Sequence, residues 1–453
     1  MAGWILKNLE AAFLKNGAEQ SGADILIEGA QIAKVGKNLP IEQGVRVLDC
    51  RGKVALPGLV NSHHHFFQGL TRCLPAAQNS PLFAWLEYHY GVWRYLDGEA
   101  MQAAARLAIA ELLLTGCTTT SDHQYLFPRG VAEDFIGIDV EAARKLGIRF
   151  CGTRGSMTMG KSAGGLPPDE LVEKDDDVLR HSEEVIARWH DPQPFSMCQM
   201  HLAPCTPFNV TPHLLRDTAL LARKHHVRLH THLAETEDET KFCELNFGKR
   251  PLALMEELGW VGDDVWFAHG VQFNDGELDV LARTGCGVAH CPSSNMRLGS
   301  GAARIPAMLK RGIPVGLAVD GSASNDSSDM LGELRQAMLL ARVSYGASAL
   351  SARQAISMAT EGSARLLGRS ELGVIEEGKA ADIALFDLEQ IANAGAGDPI
   401  AALVFCGNDH RAWAVMVNGE WVVRDRRLVR GDEEQIRVSA VKEARRLWER
   451  AGI

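Results

Sequence analysis

The sequence predicts an α/β protein in which a (β/α)8 TIM barrel is combined with a small β-sandwich domain formed by both chain ends. Eight short apolar runs alternate with amphipathic helical stretches over roughly 260 residues, an alternation that is typical of a parallel barrel. The runs end near His65, Asp122, Arg154, Ala203, His232, His269, His290 and Asp320. A doubly wound open sheet is the alternative, but the chain lacks its Gly-rich phosphate fingerprint.

Both ends of the chain favour strands and tight turns. Residues 23–36 alternate apolar and polar side chains around a Glu-Gly step, which is a hairpin signal. The stretches GVIEEGKAADIALFDL and AWAVMVNGEWVVRDRRL return to the same pattern. We therefore predict that residues 1–57 and 371–432 form one small β domain, that residues 58–370 form the barrel, and that residues 433–453 form a charged C-terminal helix.

Helical periodicity marks the segments that separate the barrel strands. Helices are predicted over residues 97–115, 131–146, 177–190, 212–226, 238–258 and 274–283, and two more over 329–345 and 352–367. The segment from Phe66 to Asp97 is about 30 residues long, whereas a βα loop usually has ~2–6. Because this segment is rich in aromatic residues, we expect it either to cover the barrel mouth or to pack on a neighbouring subunit.

Composition narrows the function class. The chain has 453 residues, a net charge of -10 and a pI near 5.9, which argues against nucleic acid or an anionic membrane as a partner. No apolar run is long enough to predict a spanning helix, and no signal peptide is recognised. The ten scattered cysteines suit reduced thiols. We expect a cytoplasmic homo-oligomer that acts on a small molecule.

Three consecutive histidines follow the first apolar run of the barrel, in LPGLVNSHHHFFQ. Because successive strand side chains point to opposite faces, His63 and His65 share one face and His64 takes the other. Two imidazoles on one face form half of a first-row metal site. Other strands end in further candidate groups, which are His232, His269 and Asp320. Barrel enzymes carry their active sites at these strand ends, so we predict one constellation.

Four motifs in this order resemble those of the amidohydrolase superfamily: H-x-H after P-G-L-V-N, H-L-x-E, A-H-G and V-D-G. The resemblance covers the whole chain and implies a mononuclear metal site. It implies that the metal ligands are His63, His65, His232 and Asp320. Strand four, SMCQMHLAP, lacks the lysine that dinuclear members carry there, which supports one metal per chain. Three imidazoles and a carboxylate suit Zn²⁺, and ferrous iron less well.

The same resemblance implies that Glu235, His269 and Asp320 are catalytic. Such an ion lowers the pKa of its bound water towards ~7, which supplies hydroxide at neutral pH. Asp320 would take the proton of that hydroxide, and Glu235 would pass it to the ring nitrogen beside the attacked, amine-bearing carbon. His269 would polarise the developing tetrahedral centre. His230 and His201 are expected to be structural.

Longer stretches, among them NSPLFAWLEYHYGVW, LAPCTPF and HCPSSNMRLGSG, resemble the 8-oxoguanine deaminase group of this superfamily. The resemblance implies hydrolytic deamination of 8-oxoguanine, with isoxanthopterin or an s-triazine as alternative substrates. Candidate substrate-binding residues are Gln68, Arg154, Trp85 and His123. A non-catalytic scaffold is the alternative of a different class, and it is disfavoured because every ligand position is filled. The unrelated H-x-E and P-C-x-x-C deaminase motifs do not occur.

Overall fold

A β-rich segment opens the chain and leads directly into the barrel. The computed structural model describes residues 3–406 and 409–453. The first strands are β1 (Trp4–Phe13), β2 (Glu19–Glu28), β3 (Gln31–Gly36), β4 (Arg46–Asp49) and β5 (Lys53–Pro57). β1 pairs antiparallel with β2 and parallel with β4 and β5, so it lies at the centre of this part of the sheet.

Eight parallel strands form the barrel, and they are neighbours in the order of the chain. They are β6 (Leu59–Asn61), β7 (Cys117–Gln124), β8 (Arg149–Ser156), β9 (Cys198–Pro204), β10 (Leu229–Leu233), β11 (Val265–His269), β12 (Gly287–His290) and β13 (Val315–Leu317). The ring closes where Ser62 N donates to Leu317 O at 3.3 Å and Asp320 N donates to His63 O at 3.2 Å. All eight predicted strands are present, and the predicted barrel is confirmed.

Helices connect the barrel strands and surround them. They are α1 (Leu82–Trp93), α2 (Gly98–Leu114), α3 (Phe135–Leu146), α4 (Asp175–Trp189), α5 (Pro212–Lys224), α6 (Glu237–Phe247), α7 (Pro251–Glu257), α8 (Asp275–Thr284), α9 (Pro292–Arg297), α10 (Ile305–Lys310), α11 (Met330–Tyr345), α12 (Ala352–Ser357), α13 (Ser363–Leu366), α14 (Pro399–Phe405) and α15 (Glu433–Ala451). A π-helical turn, Met358–Gly362, joins α12 to α13.

The prediction of one helix over residues 238–258 is wrong, because α6 and α7 are separate. Gly248 ends α6 with a φ of +68°, a left-handed conformation that glycine adopts without strain. Pro251 then occupies the first turn of α7, where its missing N–H leaves no helical hydrogen bond unmade. The apolar periodicity continues across this break, which is why it resembles one helix.

The two chain ends meet in one small β domain, as predicted. Its C-terminal strands are β14 (Ile383–Asp387), β15 (Ala414–Val417), β16 (Glu420–Arg424) and β17 (Arg427–Leu428). β14 pairs antiparallel with β5, which joins both halves into a single nine-stranded sheet. The apolar core of this domain contains residues from both ends, such as Leu9, Ile25, Ile383 and Met416.

The segment between β6 and α2 covers the mouth of its own barrel. Trp85, Tyr90 and Trp93 of α1 are buried, and the first two of these also line the cavity above the strand ends. Trp448 of α15 donates from Nε1 to Leu70 O at 2.9 Å, which ties the C-terminal helix to this segment. Across the described part of the chain, no helix has the length and apolar character needed to span a bilayer.

Candidate active site

Four side chains converge at the carboxyl end of the barrel, and all of them are buried. His63 and His65 follow β6, His232 lies on β10, and Asp320 follows β13. Asp320 Oδ1 lies 3.3 Å from His63 Nε2 and 3.4 Å from His65 Nε2. His65 Nε2 lies 3.1 Å from His232 Nε2. The predicted ligand set is therefore assembled around one point.

Backbone carbonyls fix the tautomers of two of these histidines. His65 Nδ1 lies 2.9 Å from the carbonyl oxygen of His123, and His232 Nδ1 lies 2.7 Å from that of Cys205. A carbonyl can only accept, so both Nδ1 atoms carry the proton and donate it. In the neutral rings, each Nε2 then presents a lone pair to the common point, as metal-binding histidines do.

The third histidine is oriented through His230. His230 Nδ1 lies 2.9 Å from the carbonyl oxygen of Trp266, so this nitrogen is the donor. In a neutral ring the Nε2 of His230 is then an acceptor, and it lies 2.7 Å from His63 Nδ1. His63 therefore donates from Nδ1 and keeps the lone pair of Nε2 for the cluster. His230 thus contacts a predicted ligand and orients its ring, as outer partners of metal-binding histidines do.

The arrangement fits a divalent metal ion. His65 Nε2 and His232 Nε2 are both lone-pair atoms, yet they face each other at 3.1 Å. Two imidazoles that ligate one zinc ion with bonds of ~2.0–2.1 Å have their nitrogens ~3.3 Å apart in a tetrahedral site. His63 Nε2 is buried and has no hydrogen-bond partner among the residues that the structure describes. A cation satisfies all of these lone pairs together.

Burial sets the charge states that such a site needs. Desolvation lowers the pKa of His232 to about 4 and the pKa of His63 well below its ordinary value, so both rings are neutral at pH 7. Burial alone would raise the pKa of Asp320, but the adjacent His63 ring outweighs it and holds that pKa well below the usual range. Neutral imidazoles and an ionised carboxylate are the protonation states that bind metal.

Glu235 and His269 form the predicted proton-handling pair beside the ligands. His269 Nε2 lies 3.6 Å from Glu235 Oε2, and Ser300 Oγ donates to Glu235 Oε1 at 3.3 Å. Asn295 Nδ2 donates to His269 Nδ1 at 3.0 Å, which leaves the His269 proton on Nε2. Desolvation, together with the charge of Asp320, raises the pKa of Glu235 well above its ordinary value. Burial thus favours the protonated form of Glu235, as suits a proton donor.

The backbone is strained at the three places that present these groups. Ala234, His269 and Asp320 have φ values of 54°, 72° and 63°. Residues other than glycine rarely adopt this left-handed conformation, and such outliers are concentrated at functional sites. Each of the three residues lies at or just after the end of a barrel strand. There the left-handed conformation directs the residue's own side chain, or that of the next residue, towards the cluster.

A narrow cavity lies above the predicted ligands. Its floor contains His65, His232 and Asp320, and Glu235 and His269 also face it. Its apolar and aromatic wall comes from α1, from the residue after β7 and from the loop after β9, and includes Leu82, Leu86, Tyr90, Tyr125 and Phe208. An apolar, aromatic cavity with a few polar groups is typical of a site that binds a small molecule.

Gln68 and Trp85, two of the candidate substrate-binding residues, both line this cavity. Ala323 N donates to Gln68 Oε1 at 3.3 Å, which leaves the Nε2 hydrogens of that amide for a ligand. A Cβ atom at Gly321 would lie 2.0 Å from Gln68 Oε1, so a side chain there would displace the Gln68 amide from its present position. Trp85 Nε1 is buried and, within the described residues, unpartnered. The Gln68 amide and the Trp85 indole can therefore each donate a hydrogen bond to a ligand.

Arg154 and His123 lie elsewhere, and their prediction as substrate contacts is corrected. The Arg154 guanidinium binds both carboxylate oxygens of Glu173, at 2.6 and 3.0 Å, and lies 4.5 Å above the Phe127 ring. His123 stacks on His232 with ring centroids 4.8 Å apart, and its Nε2 donates to Ala203 O at 2.6 Å. Neither is among the described residues that line the cavity. Arg154 is held in an ion pair, and the His123 ring packs against that of His232.

Sequence reasoning missed several residues of the cavity wall. Thr206 and Asn209 follow β9, and Ser324 follows Asp320. The Thr206 hydroxyl is buried without a partner among the described atoms, whereas Asn209 donates from Nδ2 to Tyr90 OH at 3.0 Å. The LAPCTPF stretch, which stands out in the sequence, is the signal that marks this part of the wall.

Comparison with known proteins places the chain among metal-dependent enzymes. Residues 54–422 match the Amidohydrolase family. The chain is 46% identical over 423 residues to an 8-oxoguanine deaminase from Pseudomonas aeruginosa, which covers 93% of this chain and 94% of that protein. It is 37% identical over 422 residues to an isoxanthopterin deaminase from an unknown prokaryotic organism, with coverage of 89% and 87%.

A solved structure supports the metal site. The crystal structure of an atrazine chlorohydrolase from Arthrobacter aurescens in complex with zinc superposes on this chain with a TM-score of 0.94 and 38% identity, covering 97% of this chain and all of the other. The fold, the buried cluster and the relatives agree. The chain therefore belongs to the amidohydrolase family, and the site that it carries is that of a metal-dependent aminohydrolase.

Proposed function

We propose that this protein is a zinc-dependent deaminase that converts 8-oxoguanine and water into urate and ammonia. The observation that carries the proposal is the polar pattern of the cavity. A protonatable Glu235 faces the ligand cluster, and unpartnered donors line an otherwise apolar wall. The 8-oxoguanine deaminase, at 46% identity, supports the choice of substrate.

Zinc is the metal that we propose for the site, at one ion per chain. Three neutral imidazoles and one carboxylate form a borderline-soft, four-donor set that suits zinc better than magnesium or calcium. A homologous chlorohydrolase was crystallised in complex with zinc. His63, His65, His232 and Asp320 would hold the ion.

The chain's own residues can supply the remaining chemistry. When bound, the zinc ion lowers the pKa of water and so provides a nucleophile at neutral pH. Asp320, one of the residues that would hold the ion, would take up the proton of that water. Glu235 can deliver a proton to the ring nitrogen beside the amine-bearing carbon, and the His269 Nε2 proton points to the same region. The proton taken up by Asp320 would pass to the amine, which leaves as ammonia when the C–N bond breaks. The hydroxyl proton of the tetrahedral centre would return to Glu235 as the carbonyl forms.

Substrate recognition is proposed to rest on three donors in the cavity wall. The Nε1 proton of Trp85 and the hydroxyl of Thr206 are buried without a partner among the described residues. Gln68 accepts from Ala323 N through Oε1, and its Nε2 group is the third donor. A purine with carbonyl groups at positions 6 and 8 offers acceptors at opposite ends of a flat ring. Such donors discriminate against analogues that lack an acceptor, because the protein group is then left buried and unpaired.

The test is a comparison of kcat/KM for 8-oxoguanine, guanine, isoxanthopterin, cytosine and hydroxyatrazine, with ammonia release as the readout. We expect 8-oxoguanine to be the best substrate, and guanine to be poorer by up to ~10⁴–10⁵-fold if the 8-oxo group is paired. Equal values for guanine and 8-oxoguanine would refute the assignment. A preference for isoxanthopterin or for hydroxyatrazine would move the proposal to that substrate.

Variants test which donors read the substrate. Trp85→Phe and Thr206→Val each remove one donor while keeping the shape of the side chain. Each is expected to lower kcat/KM for 8-oxoguanine about tenfold, since an unpaired buried group costs ~1–3 kcal/mol. Thr218→Val is the matched control, because Thr218 also has a buried, unpartnered hydroxyl but lies on α5 away from the cavity. A loss in the control equal to that of Thr206→Val would remove Thr206 from the recognition site.

We also propose a reducing compartment, such as the cytoplasm, because none of the ten cysteines, all of which lie in the described chain, forms a disulfide. The expected homo-oligomer stays a prediction, and light scattering of the purified protein tests it.

A further inference from the structure

Glu239 lies in the first turn of α6, four residues after the proposed proton donor Glu235. Its carboxylate is occupied by the backbone of the turn before the helix: Oε1 accepts from Ala234 N at 3.0 Å, and Oε2 accepts from Glu235 N at 2.8 Å. Glu239 is 1% exposed. We propose that Glu239 is a positioning residue, which holds the Glu235 carboxyl over the metal ligands.

The turn that Glu239 binds has a strained backbone conformation. Ala234 has a φ of 54°, which costs a residue with a Cβ of the order of 1–3 kcal/mol. Its carbonyl oxygen accepts from Gln272 N at 2.8 Å, so the peptide is fixed from both sides. His232 lies two residues before this turn and Glu235 one residue after it. The turn therefore sets the distance between a metal ligand and the proton donor.

A carboxylate suits this position better than an amide. Its two oxygens both accept, and they match two consecutive N–H groups. Glutamine has the same shape, but it offers one acceptor and would aim a donor at the second N–H. The Glu239→Gln variant thus breaks one of the two hydrogen bonds to the turn, while a side chain of the same size still fills the position.

Helix capping alone does not account for Glu239. Glu237 and Asp238 are exposed in the same first turn and already place negative charge at the N-terminus of α6. Glu239 is instead buried, and no cation pairs with it in the described chain. Burial raises the pKa of Glu239 to about 7, and the hydrogen bonds from Glu235 N and Ala234 N oppose that shift by favouring the ionised form.

The proposal rests on the proposed function, since it needs Glu235 to transfer a proton. The experiment is a double-mutant cycle in the zinc-loaded protein, with Glu239→Gln, Glu235→Gln and the double variant. Glu239→Gln should lower kcat about 10²-fold with little change in KM, because a catalytic group displaced by ~1 Å loses rate on that scale. On the Glu235→Gln background, the same change should cost less than about twofold, because the group that it positions is already lost.

Amide hydrogen exchange gives a second readout that does not depend on turnover. Glu239→Gln should raise exchange in the peptide that contains Ala234 and Glu235, whereas Glu237→Gln, which removes an exposed charge from the same turn, should not. Glu239→Ala should enlarge both effects. Equal loss of kcat on the two backgrounds, or unchanged exchange at the turn, would overturn the proposal. Wild-type protein that releases no ammonia from any of the five heterocycles would refute the proposed function instead and is distinguishable from these outcomes.

Discussion

His230 touches no proposed substrate atom, yet its replacement should weaken metal binding. Its Nε2 accepts from His63 Nδ1 at 2.7 Å, and its Nδ1 donates to Trp266 O at 2.9 Å. In His230→Leu, the His63 Nδ1 proton is buried without an acceptor, and the ring loses the bond that fixes its tautomer. Loss of such an outer partner typically reduces metal affinity ~10–100-fold, which corresponds to ~1.4–2.8 kcal/mol.

The assay is competition between the purified protein and a chelator of known zinc affinity, and His201→Leu is the matched control. Both histidines are buried, and both rings pack on Trp266: His230 stacks at 4.4 Å and His201 meets it edge-on at 5.5 Å. His201 contacts none of the four proposed ligands. The zinc Kd should rise for His230→Leu and stay near the wild-type value for His201→Leu. Equal shifts in the two variants would refute the reasoning.

Three further outcomes follow from the site. Glu235→Gln keeps the shape of the side chain but cannot transfer a proton, so turnover should fall ~10²–10⁴-fold while zinc stays bound, as metal analysis would verify; normal turnover would place the role elsewhere. His63→Ala and Asp320→Asn should lower zinc content and activity together, and full zinc content would contradict the ligand assignment. Because burial lowers the pKa of His232 and His269 from 6.5 to about 4, the unfolded state binds more protons than the folded one between these values. The metal-free protein should therefore lose stability as pH falls from about 6.5 to about 4, which denaturant titrations at each pH would measure; a constant stability would contradict it.

The barrel and its ligands could be predicted from the sequence because both leave regular signals. Buried parallel strands give short apolar runs, and the ligands come directly after them. The alternation of strand faces places His63 and His65 together and puts His64 elsewhere, where its Nε2 bonds to Ser328 Oγ at 2.9 Å. The same alternation places His230 on the face of His232, one layer deeper.

The cavity wall could not be predicted in the same way. Thr206 and Phe208 belong to a loop, where no periodicity shows which side chains turn inward. Arg154 does lie at a strand end, as expected, but its partner Glu173 comes from an irregular segment 19 residues later. A charged group at a strand end can bind substrate or a neighbouring carboxylate, and only the folded chain decides between them.

The central claim is that one zinc ion and this set of residues perform hydrolytic deamination. Zinc titration into the metal-free protein, with urate and ammonia measured from 8-oxoguanine, tests it most directly. Activity should rise linearly and reach a plateau at one zinc per chain, with urate and ammonia formed in equal amounts. Activity without metal, a plateau at two zinc ions per chain, or no ammonia at full zinc occupancy would contradict the account.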